Sequence, residues 1–288
     1  MLNDIAIIAA SGELPLHVAN FLEKKGIRFI VISIKGISTA KFKKSHNLYS
    51  IALGKGKEAI KFLRKNSIKN IIFLGGLKKP NLIDLKPDLW SFFKIFNVLF
   101  FNRTDNTVLS RVIGIFEREG FIVIGLKDIS NNFFLKSGIY GKKYTNFYKF
   151  GDKEIINNML RTVLHWTKGD IGQAAITSRD DIIRYEDSFG TDNLIKKIIL
   201  NKKDRENSYL FIKVKKSHQD NRIDLPTFGM STIKYLVKTN IKYIILNADS
   251  TIIMDKKKTL KYLKKYKKVL LSVDIDYSTK NNFTINYE

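Results

Sequence analysis

The chain contains no cysteine among its 288 residues. Disulfide bonds, thiolate zinc sites and a cysteine nucleophile are therefore excluded, and the absence is typical of a cytosolic protein.

The sequence also lacks a long apolar run. Its most apolar aromatic stretch, residues 90–101, contains Lys94 and Asn97, and as a helix it would rise roughly 18 Å, well short of a hydrocarbon core of roughly 30 Å. The N-terminus has no secretory pattern, so we expect a cytoplasmic protein.

Several common catalytic and binding motifs are also missing. The sequence has neither GxGxxG nor a Walker motif, which argues against dinucleotide and P-loop chemistry. No GxSxG supports a serine hydrolase, and the four histidines do not show the HExxH spacing of a zinc protease. No internal repeat is visible.

Acidic residues are scarce relative to basic ones. The chain has 51 Lys and Arg against 27 Asp and Glu, a formal net charge of +24. This charge favours an anionic partner, such as nucleic acid, acidic lipid headgroups or a phosphorylated substrate. The alternative explanation of the charge is that the chain is generally rich in Lys, Ile and Asn, with no anionic partner. Because the lysines are widely dispersed and no nucleic-acid-binding motif is present, we expect no specific nucleic-acid partner, and peripheral contact with the inner membrane surface stays open.

Buried-strand and helix patterns alternate along the first half of the chain. The predicted strands are Ile5–Ala10, Phe29–Ile34, Ile71–Leu74 and Phe121–Ile124. Buried strands that alternate with helices imply a mainly parallel sheet. We therefore predict an α/β fold with an N-terminal, Rossmann-like domain over residues 1–140.

A second, mixed α/β domain is predicted over residues 153–276, after a linker over 141–152 and before a polar tail over 277–288. Its patterns predict one hairpin from Gln173–Thr177 and Ile182–Glu186, and another from Tyr243–Leu246 and Thr251–Met254.

Two glycine-containing loops follow strands of the first domain. They are Ser11-Gly12 and Gly75-Gly76-Leu77-Lys78. Ligands of parallel α/β sheets bind beyond the carboxyl ends of the strands, and small residues let backbone N–H groups approach a phosphate. Ordinary tight turns are the alternative interpretation.

Two segments of the second half concentrate polar groups. Gln219–Pro226 holds two carboxylates, a guanidinium and two amides. In an extended conformation Asp220, Arg222 and Asp224 would share one face, and they would suit a diphosphate with Mg²⁺. A surface loop held by Asp–Arg pairs is the alternative. Gly190-Thr191-Asp192 precedes a helical pattern, so Asp192 is either an N-cap or a ligand of a cation or substrate.

Taken in order, these segments resemble a known family, the two-domain UDP-2,3-diacylglucosamine pyrophosphatases of lipid A biosynthesis, which are unrelated to the metallophosphoesterase type. The resemblance covers roughly residues 3–275. The chain departs from the family pattern at Ala10, where glycine is usual, and around Glu186. The motifs that carry the resemblance are IAIIAASGELP, IIFLGGLKKP, NRTDNTVLSRVIGIFEREGFIVIG, DIGQAAIT, SFGTDNLI, HQDNRIDLPTFG and IILNADSTIIMD.

The resemblance implies Mg²⁺-dependent hydrolysis of UDP-2,3-diacylglucosamine to UMP and 2,3-diacylglucosamine 1-phosphate. It also implies that Asp224 is essential, which makes Asp224 the predicted catalytic residue. Our own hypothesis is that Asp224 holds part of the coordination of Mg²⁺, together with Asp220 or Asp192. The oligomeric state is left open, and a non-catalytic UDP-lipid binding protein or a different nucleotide-sugar phosphotransfer enzyme are the alternatives. The expected substrate-binding residues are Ser11, Gly12, Gly75, Gly76, Lys78, Gln173, Gly190, Thr191, Asp192, Gln219 and Arg222.

Overall fold

The chain forms two compact units in the computed structural model, which describes residues 3–76, 88, 91, 105–141, 153–169, 172–179, 181–200, 209–216, 220–277 and 284–286. The first unit comprises residues 1–130 and also Asp220–Asp224, and the second comprises residues 131–219 and 225–288. The division after Ser130 comes earlier in the chain than the predicted boundary at residue 140. One short segment of the second half therefore belongs to the first unit.

The first unit is built on a parallel sheet with the strand order β3-β2-β1-β4-β5. The sequence IAIIA of β1 is apolar throughout and buried throughout, as expected for a central strand that is covered on both faces. The predicted Rossmann-like, mainly parallel sheet is confirmed, whereas β3 was not predicted. The strands are β1 (Ile5–Ala9), β2 (Phe29–Ile34), β3 (Leu48–Ile51), β4 (Asn70–Leu74) and β5 (Ile122–Val123).

Helices connect these strands, and local sequence signals mark the two ends of the first one. Pro15 lies in the first turn of the first helix, where a missing N–H costs nothing, and Gly26 follows that helix in a left-handed conformation. The helices are α1 (Leu14–Lys24), α2 (Gly56–Lys65), α3 (Asp105–Arg118) and α4 (Leu126–Ile129).

The second unit is built on a mixed sheet, as predicted. Its three central strands, β9, β11 and β13, are parallel, while the flanking strands β7, β8, β6 and β14 run antiparallel to their neighbours. The strands are β6 (Gly138–Gly141), β7 (Ala174–Thr177), β8 (Ile182–Tyr185), β9 (Tyr209–Lys213), β11 (Ile241–Asn247), β13 (Val269–Asp276) and β14 (Thr284–Asn286), and β10 (Thr227–Phe228) pairs separately with β12 (Ile252–Ile253).

Helices cover both faces of this second sheet. One core cluster contains Ile156, Leu160 and Val163 of the first helix, and the other contains buried residues of the remaining three, such as Leu194, Ile233 and Leu263. The helices are α5 (Lys153–Thr167), α6 (Thr191–Leu200), α7 (Met230–Leu236) and α8 (Lys256–Lys265).

The hairpin predicted from residues 243–246 and 251–254 is wrong. The strand β11 is buried almost continuously and pairs in parallel on both sides, and β12 instead pairs in parallel with β10. A buried apolar run is compatible with either arrangement, so its partner depends on the tertiary structure. The strands β6 and β14, which take in part of the predicted linker and tail, were not predicted.

None of the helices in the described part of the chain is long and apolar enough to cross a bilayer. Of the aromatic stretch 90–101, only Ser91 lies within the described residues.

Candidate active site

The glycine loops of the first unit lie where the strand order of its sheet reverses. From β1 the chain continues to β2 and β3 on one side, whereas β4 and β5 lie on the other. Ligands of open parallel sheets bind beyond the carboxyl ends of the strands at such a switch point. Ser11 follows β1 and Gly75 follows β4, so the structure brings the two predicted loops together at this position.

Direct hydrogen bonds join these two loops. The Ser11 N–H donates to the Gly76 carbonyl at 3.2 Å, and the Gly76 N–H donates to the Ser11 carbonyl at 3.0 Å. Gly75 has a φ of +97°, and a Cβ there would lie 2.3 Å from the Ser11 carbonyl oxygen, so only glycine fits. Gly12 donates its N–H to Thr39 Oγ1 at 2.9 Å.

These contacts bear on the expected phosphate-binding role of the loops. The N–H groups of Ser11, Gly12 and Gly76 are used within the unit, which agrees with the tight-turn interpretation. The Ala10 side chain is buried in the core cluster of the first unit, so its methyl group points away from the loop surface. A substrate role for Ser11, Gly12, Gly75 and Gly76 stays a prediction. Lys78 and Gln219 lie outside the described residues.

The segment Asp220–Asp224 forms a turn, so the extended conformation that would place its three charged side chains on one face does not occur. The Ile223 N–H donates to the Asp220 carbonyl at 3.1 Å, and Asp224 has a φ of +55°. Aspartate is one of the few residues other than glycine that tolerate this left-handed conformation. The turn removes the alternation that would have placed the three charged side chains on one face.

Arg222 holds this turn together through ion pairs. Its guanidinium donates to both carboxylate oxygens of Asp220, with a shortest distance of 2.7 Å from Nη2, and Nη1 donates to Glu117 Oε1 at 2.6 Å. The Asp220 hydrogen bonds, followed by those to Glu117, raise the pKa of Arg222 above its usual value despite partial burial. The arrangement agrees with the alternative interpretation, a loop held by Asp–Arg pairs. Both carboxylate oxygens of Asp220 are used in these hydrogen bonds.

Ile223 anchors the same turn in the core of the first unit. Its side chain is 5% exposed and packs with Ile113 and Val123. Gly125 permits the close approach, since a Cβ there would lie 3.1 Å from the Arg222 Cα. Asp224 is exposed and directly follows this anchored turn, so its backbone position is determined on the N-terminal side by both packing and charge pairing.

The second unit contains a hydrogen-bond chain through the predicted Gly-Thr-Asp turn. Lys213, which is 5% exposed, donates from Nζ to Thr191 Oγ1 and to the Thr227 carbonyl, each at 2.9 Å. Thr191 Oγ1 donates to Glu186 Oε1 at 2.5 Å, and Glu186 Oε2 accepts the Gln173 N–H at 2.8 Å. These hydrogen bonds therefore bring the predicted residues Gln173 and Thr191 together with Glu186, near which the sequence departs from the family pattern, and with Lys213, which was not predicted.

Gln173 and Asp192 occupy different environments near this chain. The Gln173 Oε1 atom is buried and has no hydrogen-bond partner in the described part of the chain, which is uncommon for a buried polar atom. Asp192 accepts a hydrogen bond from Thr232 Oγ1 at 3.2 Å. It lies inside the first turn of α6 and so is not the N-cap, but the turn's partial positive charge favours its carboxylate.

Lys213 is the main residue that sequence reasoning missed. It ends the apolar strand YLFIK, and a lysine at the carboxyl end of a buried parallel strand was the available signal. A charged residue is almost never fully buried unless it has partners. The missing information was therefore the partner, Thr191, which is 22 positions away in the sequence.

The predicted metal ligands are divided between the two units. Asp220 and Asp224 belong to the first unit and Asp192 to the second. Among the residues that the structure describes, no group of three or more His, Cys, Asp or Glu side chains comes together as a metal site.

Comparison with known proteins gives a match over most of the chain. The model of the LpxI N-terminal domain matches residues 4–133, and that of the LpxI C-terminal domain matches residues 142–271. The chain is also 25% identical, over 259 residues, to the UDP-2,3-diacylglucosamine pyrophosphatase LpxI of Caulobacter vibrioides, a match that covers 88% of this chain and 91% of that protein. The chain belongs to the LpxI family.

Proposed function

We propose that this protein hydrolyses the pyrophosphate bond of UDP-2,3-diacylglucosamine in lipid A biosynthesis, and releases UMP and 2,3-diacylglucosamine 1-phosphate. The observation that carries the proposal is the length of the match to the Caulobacter vibrioides pyrophosphatase, 88% of this chain and 91% of that protein. A match of this extent includes both domains rather than one shared binding module. The proposed place of the reaction is the cytoplasm, at the inner membrane surface.

The local structure of Asp224 supports its proposed role as the catalytic carboxylate. Its side chain is exposed, while the turn before it is held by the buried Ile223 and by the ion pairs of Arg222. A catalytic group must keep its geometry within a fraction of an ångström, so it depends on supporting residues of this kind. The left-handed backbone of Asp224 adds a conformational constraint that few other side chains accept.

We propose Mg²⁺ as the cofactor, with Asp224 as a ligand. Mg²⁺ prefers oxygen ligands and usually takes one or two protein carboxylates together with water and substrate phosphates. The Asp224 side chain is exposed, so a cation that keeps part of its water shell can reach it. Asp192 of the second unit stays a predicted metal ligand. A bound Mg²⁺ neutralises charge on the pyrophosphate and thereby makes phosphorus more open to attack.

The proposed reaction consumes one water molecule. The water oxygen bonds to one phosphorus. The bond between that phosphorus and the bridging oxygen breaks, the bridging oxygen leaves with the other phosphate, and one proton is released to solvent. Arg222 uses part of its guanidinium for Asp220 and Glu117, and its remaining N–H groups are suitable donors to phosphate oxygens. Lys213 and Glu186 hold the Thr191 hydroxyl in a single orientation.

The test is UMP release from UDP-2,3-diacylglucosamine with Mg²⁺, compared with the same reaction in EDTA. Asp224→Asn removes the charge and keeps a residue that tolerates the left-handed conformation. We expect UMP release to fall by roughly 100-fold or more with the melting temperature unchanged. Asp4→Asn is the matched control, because Asp4 has a similar φ of +57° in the same unit, and it should retain wild-type activity.

Other outcomes separate the alternatives. Substrate binding without UMP release by the wild-type protein would indicate a non-catalytic UDP-lipid binding protein. Release of a uridine product other than UMP would indicate a different nucleotide-sugar enzyme. Wild-type turnover by Asp224→Asn would remove Asp224 from the mechanism.

A further inference from the structure

The helix α8 and the turn that follows it form the most lysine-rich part of the second unit. Eight of the 13 residues from 256 to 268 are lysine, and none is acidic. The helix packs through Thr259 and Leu263, which are both fully buried. Its apolar side is therefore used in the core, and the lysines lie on the remaining surface.

The exposed side of α8 is called here the lysine face, and it consists of Lys257, Lys258, Lys261, Lys264 and Lys265 together with Tyr266 and Lys267. Tyr262 adds a second ring, 5.9 Å from that of Tyr266. Lys265 Nζ lies 5.5 Å from the Tyr266 ring centroid and 6.0 Å from that of Tyr262. Tyrosine combines an apolar ring with a polar hydroxyl, a combination that suits the boundary between water and lipid.

The lysine face contains no acidic residue of its own, and the nearest one along the chain is Asp255, directly before α8. Elsewhere on the surface, cations lie against carboxylates, as in Arg28–Asp4, Lys43–Glu23 and Arg64–Glu119. The exposed lysines of α8 and its following turn form no such ion pair with any residue that the structure describes. Lysines are dispersed along the whole sequence, and a general enrichment of this kind adds single charges across the surface. Residues 256–268 depart from that pattern, because eight lysines fall on one helix and the turn after it.

We infer that the lysine face binds the anionic lipid surface of a bilayer. Lysines close to an anionic membrane each favour binding by about fivefold, so several on one face give appreciable affinity without any inserted segment. The apolar side of α8 is buried in the core, and Tyr262 packs against it, so the contact is electrostatic and the exposed Tyr266 is the ring that reaches the headgroups. The purpose of this membrane contact rests on the proposed function, because a diacylated substrate resides in a membrane. The argument from charge is independent of that function.

The test measures co-sedimentation of the full chain with vesicles of phosphatidylcholine alone, or of phosphatidylcholine and phosphatidylglycerol at about 0.15 M salt. Lys258→Glu/Lys261→Glu/Lys265→Glu changes one stripe of the lysine face. We expect its partition coefficient on anionic vesicles to fall by about 100-fold or more. The matched control is Lys57→Glu/Lys61→Glu/Lys65→Glu, which makes the same change in net charge on exposed positions of α2 and should retain most of the binding.

Three outcomes would overturn the inference. They are equal losses in the two triple variants, equal binding of the wild-type protein to both kinds of vesicle, and tighter binding to duplex DNA that the α8 substitutions abolish. A Lys258→Gln/Lys261→Gln/Lys265→Gln variant should lose less binding than the glutamate variant, and circular dichroism confirms that both fold. The vesicles contain no substrate, so the result is independent of whether the protein releases UMP.

Discussion

Replacing Lys213 with methionine removes the cation at the centre of the hydrogen-bond chain in the second unit. Methionine has a similar length and no charge, so it fills the space and donates nothing. The change leaves two partly buried acceptors, Thr191 Oγ1 and the Thr227 carbonyl, without the donor that lies at 2.9 Å from each. A hydrogen bond to a charged group contributes about 1.5–3 kcal/mol to stability, which gives about 3–6 kcal/mol for the two.

The burial of the lysine charge itself opposes this gain. Removing a buried charge relieves a desolvation cost of the same order, so we expect a net loss of about 2–3 kcal/mol in the free energy of unfolding. For a unit of this size, that loss corresponds to a fall of roughly 4–12 °C in the melting temperature. Urea unfolding followed by circular dichroism gives the free energy directly.

A double-mutant cycle shows whether the effect passes through Thr191. Thr191→Val removes the hydroxyl and conserves the shape of the side chain. If the Lys213–Thr191 hydrogen bond contributes as argued, the two changes together should cost at least about 1 kcal/mol less than the sum of the single changes. The control is Lys215→Met, because Lys215 is equally buried and instead lies over the Tyr277 ring at 5.1 Å. Additive effects for Lys213 and Thr191 would refute the reasoning.

Two further predictions concern backbone strain and pH. Gly75→Ala should destabilise the first unit by more than about 2 kcal/mol, because the added Cβ would lie 2.3 Å from the Ser11 carbonyl oxygen. The control is Gly26→Ala, where φ is +67° and the space around the residue is open. It should cost only about 1 kcal/mol in the same urea experiment. Burial, with a smaller effect of the Lys242 charge, lowers the pKa of Lys268 from 10.5 to about 8. Because the unfolded chain then binds more protons, the free energy of unfolding should rise from pH 8 to pH 10.5 by up to about 3 kcal/mol. Lys268→Met should lack this rise, and an identical pH profile in the variant would contradict the shift.

Local patterns in the sequence determined most of the secondary structure and the fold class. The strands Ile5–Ala9 and Phe29–Ile34 are continuous apolar runs, and the turn residues Pro15 and Gly26 mark the ends of the helix between them. These signals depend on neighbouring residues only, so no tertiary information is needed to recognise them. The order of uncommon motifs likewise identified the family from the sequence.

Strand partners and conformations of short polar segments depended on the tertiary structure. Tyr243–Leu246 is as apolar as a hairpin strand, but it lies between two parallel strands, and pairing of this kind is decided by distant residues. Asp220–Asp224 follows no extended pattern because Ile223 packs with Ile113 and Val123 of the first unit. Its charges could be named from the sequence, whereas their pairing with Glu117 could not.

The same distinction between sequence and tertiary structure holds for the candidate site. The sequence by itself supplied the candidate side chains for a pyrophosphate and Mg²⁺, and the resemblance to the family placed Asp224 foremost among these predictions. Only the tertiary structure decided that Arg222 is paired with Asp220, that Asp224 adopts a left-handed conformation, and that Lys213 lies beside Thr191. The physical reason is that residue chemistry is a local property, whereas burial and hydrogen-bond partners arise from residues that are far apart in the chain.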